Sequence, residues 1–264
     1  MNSTNMYLRK NKNIKIGIVI PTYQEENNIK KVFKKFSKIK KYNFFFCFVD
    51  GSYDDKTKIE IKRYFKSNFK IINQKKTKIS FFNLSKRCQA SELGFKWIIK
   101  NTKVDLIADM DADLSSDPND ILKAFRIYKR KNPDLIIGSK YLLNSRVMKR
   151  KIFRIVCSKI YTFVCKIIIS NTISDYSAGY RFFKRKPLSN MLIKKPLFNS
   201  PARHLENLLF FYENNLTICE FPAKYSDTNE NSKSILFHHV IIIAFQLSLV
   251  LLNYYFRKFR KFFI

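Results

Sequence analysis

The sequence predicts an α/β fold in which a mostly parallel central sheet is flanked by helices. Short apolar runs rich in β-branched and aromatic residues alternate, along the first half of the chain, with longer segments whose apolar residues recur at helical spacing. This alternation is typical of parallel strands joined by crossover helices, which cover both faces of the sheet. The length of 264 residues is enough for one such domain and a short appendage.

The individual elements follow from these patterns. The apolar runs predict strands over residues 14–20, 44–49, 69–72, 104–108 and 134–138. The helical spacing predicts helices over residues 27–39, 54–65, 88–99 and 118–129, the last with a proline in its first turn. In the second half we expect helices over 154–169 and 201–212, a loop leading into a strand over 175–183, and a strand over 216–225.

Composition suggests three regions. Residues 1–13 form a polar, basic N-terminal tail without the apolar core of a secretory signal, residues 14–233 form the globular domain, and residues 234–264 form an apolar and basic C-terminal segment. The five cysteines are scattered and include no CxxC pair, which favours free thiols over a disulfide framework or a zinc site.

The chain is strongly basic, with 51 lysines and arginines against 20 aspartates and glutamates and a formal net charge of +31. This excess favours attraction to anionic membrane lipids or to phosphate-bearing substrates. No nucleic-acid partner is expected, since the sequence shows no basic patch on a recognisable nucleic-acid-binding module. Lys, Asn, Ile and Phe are abundant throughout, and compositional drift explains part of the charge equally well.

Polar residues follow three of the predicted strands at the points where they end. They lie at 21–26, 50–54 and 111–115, and the last group contains Asp111 and Asp113. Ligands of such sheets bind beyond the carboxyl ends of the strands. Two carboxylates spaced two residues apart on extended backbone can hold a hard divalent cation against phosphates. An isolated D-x-D is most often a solvated loop, but the convergence of three polar groups favours a nucleotide pocket.

Three motifs carry a more specific signal. They read PTYQEEN from Pro21, DGS from Asp50 and MDADLSSDP from Met110. In this order and spacing the sequence resembles the family 2 glycosyltransferases with the GT-A fold. Within them it resembles the dolichol-phosphate mannosyltransferase-like enzymes and the polyprenyl-phosphate glycosyltransferases. The similarity extends from about residue 15 to residue 233, so the resemblance identifies 14–233 as a GT-A domain.

The resemblance implies a donor site and a metal site. By position, the residues that bind the nucleotide sugar are Pro21, Tyr23, Glu25, Asp50, Ser52, Lys86 and Asp111. The metal ligands are Asp111, Asp113 and the metal-proximal Ser115, with Mg²⁺ or Mn²⁺ as the cofactor. Asp111 and Asp113 are also the main catalytic residues by this resemblance. The donor is a GDP- or UDP-hexose.

Later motifs resemble the acceptor side of the same enzymes. These are the strand ending in Gly138-Ser139-Lys140-Tyr141, the basic run from Lys149 to Arg154, the loop from Ser174 to Arg181, and a closing Ser232-Lys233. They imply that an acceptor phosphate is bound by Lys140, Arg150, Arg154, Arg181 and Lys233. A phosphate acceptor needs no strong general base, whereas a sugar hydroxyl would, and Asp175 is the third catalytic candidate for that role.

The sequence departs from the family pattern at several positions. Val49 replaces the first of two acidic residues that many relatives have before Gly-Ser, and Ser85, Arg87 and Cys88 stand where relatives carry a glycine-rich basic loop. Asp109 lies where a buried strand residue would be apolar. Lys86 or Arg87 remains available to reach the diphosphate.

Three functions follow as hypotheses. The first is an inverting, metal-dependent glycosyltransferase that moves a hexose of mannose or glucose type to a polyprenyl or dolichyl phosphate at the cytosolic membrane face. The second keeps the donor chemistry but uses a saccharide hydroxyl, as in surface polysaccharide or glycolipid synthesis. The third is a non-catalytic basic protein that binds a membrane or nucleic acid through charge alone.

The C-terminal segment bears on the localisation. Residues 235–256 are strongly apolar and are followed by the basic run 257–261. His239, Gln246 and Asn253 recur every seven residues and lie on one narrow stripe of a helix. We expect a membrane-associating helix that lies in the head groups, peripheral or anchored at the cytoplasmic face, in preference to a span. A buried packing helix is the third and least favoured interpretation.

Overall fold

A seven-stranded sheet organises the protein. The computed structural model describes residues 14–39, 42–75, 80–82, 84–227 and 237–260, so the predicted N-terminal tail and Lys233 lie outside the described residues. The strands of the sheet, in spatial order, are β3 (Phe69–Asn73), β2 (Asn43–Asp50), β1 (Lys15–Thr22), β4 (Leu106–Asp109), β7 (Arg181–Lys184), β5 (Leu135–Ser139) and β8 (Ile218–Pro222). A second, two-stranded sheet pairs β6 (Arg146–Met148) with β9 (Lys224–Ser226).

The helices of the described residues are α1 (Glu26–Ser37), α2 (Lys56–Tyr64), α3 (Lys86–Asn101), α4 (Ile121–Lys131), α5 (Ile152–Ile168), α6 (Arg185–Ile193), α7 (Arg203–Glu213) and α8 (Phe237–Arg260). A 3₁₀ turn, Pro118–Asp120, precedes α4.

The sheet is mostly parallel, which confirms the predicted fold class. Only β7 runs antiparallel to its neighbours β4 and β5, and every other pair in this sheet is parallel. Strand β1 is buried on both faces: Ile16, Ile18 and Ile20 join the core on one side, and Val19 joins the core on the other. The carboxyl ends of β1, β2, β4 and β5 therefore meet at one edge, where parallel sheets bind their ligands.

Two features of the second half differ from the prediction. The single strand expected over 216–225 is split into β8 and β9, because the chain leaves the large sheet after Pro222 and pairs with β6. Neither β6 nor α6 was predicted, since three-residue strands and a helix that contains Pro187 carry almost no periodic signal.

The C-terminal helix α8 packs against the protein. Gln246 is fully buried and its amide donates to the carbonyl of Phe81, while Val250 and Tyr254 join the core on the side of α7. This is the packing arrangement that the sequence analysis favoured least, and its cause is that Gln246, the middle residue of the predicted polar stripe, faces the domain. Of the helices in the described part of the chain, none combines the length and the apolar character needed to cross a membrane.

Close packing of α3 on the sheet predicts a large effect of one substitution. A Cβ added at Gly94 would lie 2.4 Å from Val19 Cγ1 and 3.1 Å from Val49 Cγ2, both on buried strands. We expect Gly94→Ala to lower the free energy of unfolding by about 1–3 kcal/mol, because overpacking forces the helix off the sheet. Urea denaturation measures this change. Gly179→Ala, whose Cβ would be 3.8 Å from the nearest atoms of His204, is the control and should unfold near the wild-type midpoint.

Candidate active site

The first component of the site is a buried carboxylate at the end of β2. Asp50 is 2% exposed, and its Oδ1 accepts hydrogen bonds from the hydroxyls of Thr22 at 2.9 Å and Ser52 at 2.7 Å. Its Oδ2 is buried and has no hydrogen-bond partner among the described residues. An unpaired buried acceptor is costly, so this atom is suited to receive an N–H of a ligand.

The loop after β1 lies beside Asp50. The backbone N–H of Gln24 donates to the Ser52 hydroxyl at 2.8 Å, and Gln24 has a positive φ of 55°. The N–H of Glu25 donates to Thr57, and the Glu25 carboxylate accepts from the Asn28 amide at 2.6 Å. Pro21, at the end of β1, is half-buried, and Tyr23 in the following loop is 49% exposed. The structure thus brings Glu25 and Ser52 close to Asp50. The backbone of Lys86 lies near the same strand end, because its carbonyl accepts from the Gln74 side chain and the Gln74 N–H donates to the Asp50 carbonyl.

Glu25, Asp111 and Asp113 lie within electrostatic range of one another at this edge of the sheet. Burial, followed by the nearby charge of Asp111, raises the pKa of Asp113. Burial also raises the pKa of Glu25, and the charges of Asp113 and Asp111 add to that effect. Because like charges held together disfavour ionisation, a cation placed among these groups would stabilise their charged forms.

The backbone directly after the paired aspartates is held in an uncommon conformation. Leu114 has a φ of 59°, in the left-handed region that side chains larger than asparagine rarely adopt. The next N–H, from Ser115, donates to Asp113 Oδ1 at 2.9 Å. Ser115 is 4% exposed. Its contact with Asp113 orients one carboxylate of the predicted metal pair.

Arg87 is a residue of the site that sequence reasoning mentioned but did not select. Its Nε donates to Asp111 Oδ1 at 2.5 Å, and its terminal nitrogens lie 3.3 and 3.4 Å from the oxygens of Asp109. Ser91 also donates to Asp109, at 3.0 Å. The selected Lys86 is the first residue of α3 and has an exposed side chain, so the inward-facing cation at this turn is Arg87. The sequence did contain a signal for this role: Arg87 and Asp109 both depart from the family pattern, and in the structure they pair with each other.

A cationic pocket adjoins Asp111. The residues that define it are Arg87, Asp111, Lys140, Arg150, His204 and Tyr225, and we refer to this set as the cationic pocket. The Arg150 guanidinium and the Lys140 ammonium lie 5.6 and 5.7 Å from the Tyr225 ring centroid. Burial lowers the pKa of His204 well below its ordinary value, so this imidazole is neutral and adds no charge. A negatively charged group beside Asp111 would therefore meet arginine and lysine side chains.

Asp175 does not line this pocket. It is fully buried, and its Oδ2 lies 2.8 Å from the Lys140 ammonium and accepts the Lys140 backbone N–H at 2.9 Å. The Ser177 hydroxyl donates to Oδ1 at 2.6 Å. Burial alone would raise the pKa of Asp175, but Lys140 and Ser177 lower it below its ordinary value. This geometry does not favour the predicted general base; it favours a carboxylate that positions Lys140.

Two further arginines predicted to bind an acceptor phosphate are engaged elsewhere. Arg181 is 1% exposed and donates to the carbonyls of Ala178 and His204, and burial lowers its pKa to about 10. Arg154 faces Asp227, with 3.7 Å between Nη1 and Oδ2. Of the predicted acceptor-binding residues, the structure brings Lys140 and Arg150 together, and the predicted Lys233 lies outside the described part of the chain.

The buried Lys140–Asp175 pair predicts a stability effect. Asp175→Asn leaves the ammonium buried without its counter-charge, and we expect a loss of about 3–5 kcal/mol in the free energy of unfolding. Because the folded-state pKa of Asp175 lies below its ordinary value of 3.8, its contribution is present above that value and is lost as pH falls through the folded-state pKa. Urea denaturation as a function of pH measures both effects. Asp55→Asn removes an exposed ion pair with Lys58 and should leave the unfolding midpoint unchanged.

The fold and this site define a nucleotide-sugar transferase of the α/β class. The family model "Glycosyl transferase family 2" matches residues 17–192, and the chain belongs to this family. Strand β8, Tyr225 and α8 lie outside the matched range.

The chain is also similar in fold to solved structures. A glucosyl-3-phosphoglycerate synthase from Mycobacterium tuberculosis is 13% identical, with a TM-score of 0.60, and the match covers 96% of this chain and 85% of that one. The same enzyme in complex with Mn²⁺, UDP-glucose and phosphoglyceric acid is 12% identical, with a TM-score of 0.63 and coverages of 96% and 84%. Its complex with Mg²⁺ and UDP has a TM-score of 0.61 at 11% identity, with coverages of 96% and 83%. At these identities the likeness shows the fold alone.

Proposed function

We propose that this chain is an inverting, metal-dependent glycosyltransferase that transfers a hexose of mannose or glucose type from a GDP- or UDP-sugar to a polyprenyl or dolichyl phosphate. The observation that carries the proposal is the cationic pocket, which lies directly beside the paired aspartates at the carboxyl edge of the sheet. The donor half and the acceptor half of the proposal rest on different contacts.

The donor half rests on Asp50 and the paired aspartates. The unpartnered Oδ2 of Asp50 would accept a hydrogen bond from the imino N–H of uracil or guanine, and this contact would recognise the base. Asp111 and Asp113 would hold Mg²⁺ or Mn²⁺, which stabilises the charge that develops on the departing diphosphate. The described residues contain no group of three or more histidine, cysteine, aspartate or glutamate side chains able to hold a metal ion. Diphosphate oxygens and water would therefore complete its coordination.

The acceptor half rests on the charges of the pocket. An acceptor phosphate is already anionic, so one of its oxygens attacks the anomeric carbon without a general base, and the bond to the nucleoside diphosphate breaks with its electron pair. Arg87, Lys140 and Arg150 would position this phosphate and reduce its repulsion from the donor. A saccharide hydroxyl would need a base, and the nearest predicted one, Asp175, is engaged by Lys140. The neighbouring synthases were also solved with a phosphate-bearing anion, phosphoglyceric acid.

Two further parts of the proposal are the lipid portion of the acceptor and the location at the cytoplasmic membrane face. Both rest on the sequence resemblance and on the net charge of +31. Anionic lipids are the membrane partner that this charge favours. Helix α8 exposes Ile241, Phe245, Leu252 and Phe256 on the side away from its buried residues Gln246, Val250 and Tyr254, as an interfacial helix would.

Replacing Asp50 tests the donor half. In Asp50→Asn the side-chain amide oxygen can still accept hydrogen bonds from Thr22 and Ser52. The amide NH₂ group then takes the place of Oδ2, and it cannot accept a hydrogen bond from the N–H of the nucleotide's uracil or guanine. We expect donor affinity to fall by about 10–100-fold, the value of a hydrogen bond to a charged group. Calorimetric titration of GDP- and UDP-sugars with Mn²⁺ and with chelator measures it. Wild-type affinity in the variant, or no nucleotide binding by the wild type, would contradict the donor site.

A further inference from the structure

Arg87 places a permanent positive charge against the first of the paired aspartates. Its Nε lies 2.5 Å from Asp111 Oδ1, and the side chain of Asp111 is otherwise 43% exposed. A hydrogen bond between two charged groups is about twice as strong as one between neutral groups. Asp111, which the proposed function takes as a metal ligand, therefore already has a cationic partner within the protein.

A buried carboxylate holds Arg87 in this place. The two terminal nitrogens of its guanidinium lie 3.3 and 3.4 Å from the two oxygens of Asp109, which is the forked geometry of a bidentate pair. The other three residues of β4 are apolar, and the side chain of Asp109 is only 6% exposed. An unpaired carboxylate at this depth is costly, so Asp109 requires the guanidinium.

Helix α3 supplies a second contact to the same carboxylate. Ser91 stands four residues after Arg87 on this helix, hence on the same face, and its hydroxyl donates to Asp109 Oδ1 at 3.0 Å. Asp109 is thus bound from one helix face by a cation and a hydroxyl. The guanidinium that reaches Asp111 is fixed in its orientation by groups that do not themselves contact Asp111.

Arg87 is also open to the cationic pocket. Its side chain is 28% exposed, and it lines the pocket together with Lys140 and Arg150. It therefore lies between a buried anchor, Asp109, and a space into which an anion can enter. A diphosphate in that space would offer the guanidinium a second anionic partner in place of Asp111.

A divalent cation bound to Asp111 would stand beside this guanidinium. Two cations that share one carboxylate repel each other, and the single negative charge of Asp111 is already offset by Arg87. The repulsion falls when a diphosphate adds negative charge next to both cations. The contacts of Arg87 therefore disfavour the metal in a site that holds no nucleotide.

We infer that Arg87 is an internal counter-cation of Asp111, which lowers the affinity of the site for a divalent cation when no diphosphate is bound. Asp109 is the positioning residue that holds it there. The inference rests on the proposed function, since it takes Asp111 as a metal ligand. It goes beyond that function by assigning to one arginine of this chain an effect on when the metal binds.

A purely structural role of the pair makes a different prediction. If Arg87 and Asp109 only fasten α3 to β4, removing both changes the free energy of unfolding and leaves the affinity for metal as it is. Metal affinity is therefore the readout that separates the two roles.

Titration of the full chain with Mn²⁺ in the absence of nucleotide tests the inference. Arg87→Gln/Asp109→Asn replaces the ion pair by neutral amides and avoids an uncompensated buried charge. Mn²⁺ binding, followed by electron paramagnetic resonance, should tighten by at least about tenfold, since Asp111 loses its competing cation. Adding Asp111→Asn/Asp113→Asn to wild type and to the variant measures the Mn²⁺ that binds elsewhere on the chain.

Two controls match the changes in the variant. Ser91→Ala removes the hydroxyl that donates to Asp109 but keeps Arg87 and its charge. Lys58→Gln/Asp55→Asn removes an exposed ion pair at 2.6 Å and, like the variant, leaves the net charge unchanged. Both controls should bind Mn²⁺ with the affinity of wild type.

Separate outcomes distinguish this inference from the proposed function. If Arg87→Gln/Asp109→Asn shows no cooperative urea transition, Arg87→Met/Asp109→Leu replaces the pair by apolar side chains and carries the same expected tightening. Equal or weaker Mn²⁺ binding in the folded variant overturns the inference and leaves the proposed metal site in place. Mn²⁺ binding that Asp111→Asn/Asp113→Asn does not change, in wild type and variant alike, overturns the metal site and the inference together.

Discussion

Replacing Asp111 and Asp113 together by asparagine is expected to lower the rate of sugar transfer by at least about 1,000-fold, because charge on the departing diphosphate then develops without metal stabilisation. The two carboxylates end β4 at the ligand-binding edge, and their proximity already raises the pKa of Asp113 on top of the effect of burial. Removing both charges also abolishes metal-dependent donor binding. Initial rates with radiolabelled donor, together with calorimetry, measure the two losses.

Asp117→Asn provides the matched control within the same motif. Asp117 caps the 3₁₀ turn by accepting from the backbone N–H of Asn119 at 3.0 Å, and an asparagine oxygen can do the same. The control should keep transfer within a few-fold of wild type. Full activity in the Asp111/Asp113 variant would show that these carboxylates do not hold the metal.

The second large effect is expected at Arg150. This side chain lies in the cationic pocket against Tyr225, and its Nη1 is 3.5 Å from the Tyr141 hydroxyl. Arg150→Gln should weaken the affinity for a phosphate acceptor by about 10–100-fold, the value of a charge-assisted hydrogen bond. Donor affinity should not change, because the contacts of Asp50 are untouched. The KM for a polyprenyl phosphate and the donor Kd separate the two.

Lys151 supplies the control for Arg150. It adjoins Arg150 in the same basic run, but its side chain is exposed. If the run acted only by attracting anions from solution, Lys151→Gln and Arg150→Gln would raise the KM equally and added salt would remove both effects. A specific loss in Arg150→Gln places the phosphate in the pocket.

The parts of the structure that were predictable are those in which local pattern and tertiary packing agree. Strands such as β1 read as β-branched runs because both of their faces are buried, and α1 and α4 show helical spacing because one face of each packs on the sheet. The gathering of polar residues at one edge followed from strand direction alone. These elements were therefore enough to predict which polar residues lie at the carboxyl edge of the sheet.

The roles of Asp175, Arg181 and Arg87 could not be predicted from the local sequence pattern. Whether a carboxylate serves as a base or as a counter-ion depends on what stands beside it, and Lys140 is 35 residues away from Asp175 in the chain. Arg181 matched a family motif by position, yet it turns inward to backbone carbonyls. Arg87 occurs 22 residues before its partner Asp109, a pairing that only the packing of α3 on β4 brings about.

The central claim is that the chain transfers a hexose to a lipid phosphate, and one transfer assay tests it most directly. Radiolabelled GDP-mannose and UDP-glucose would each be incubated with polyprenyl-phosphate vesicles and Mn²⁺, using wild type and the Asp111/Asp113 variant. We predict a labelled, acid-labile phosphodiester that extracts into organic solvent, forms only with wild type and disappears with chelator. Label that instead appears on an added saccharide acceptor, or no transfer with either donor, would contradict the claim.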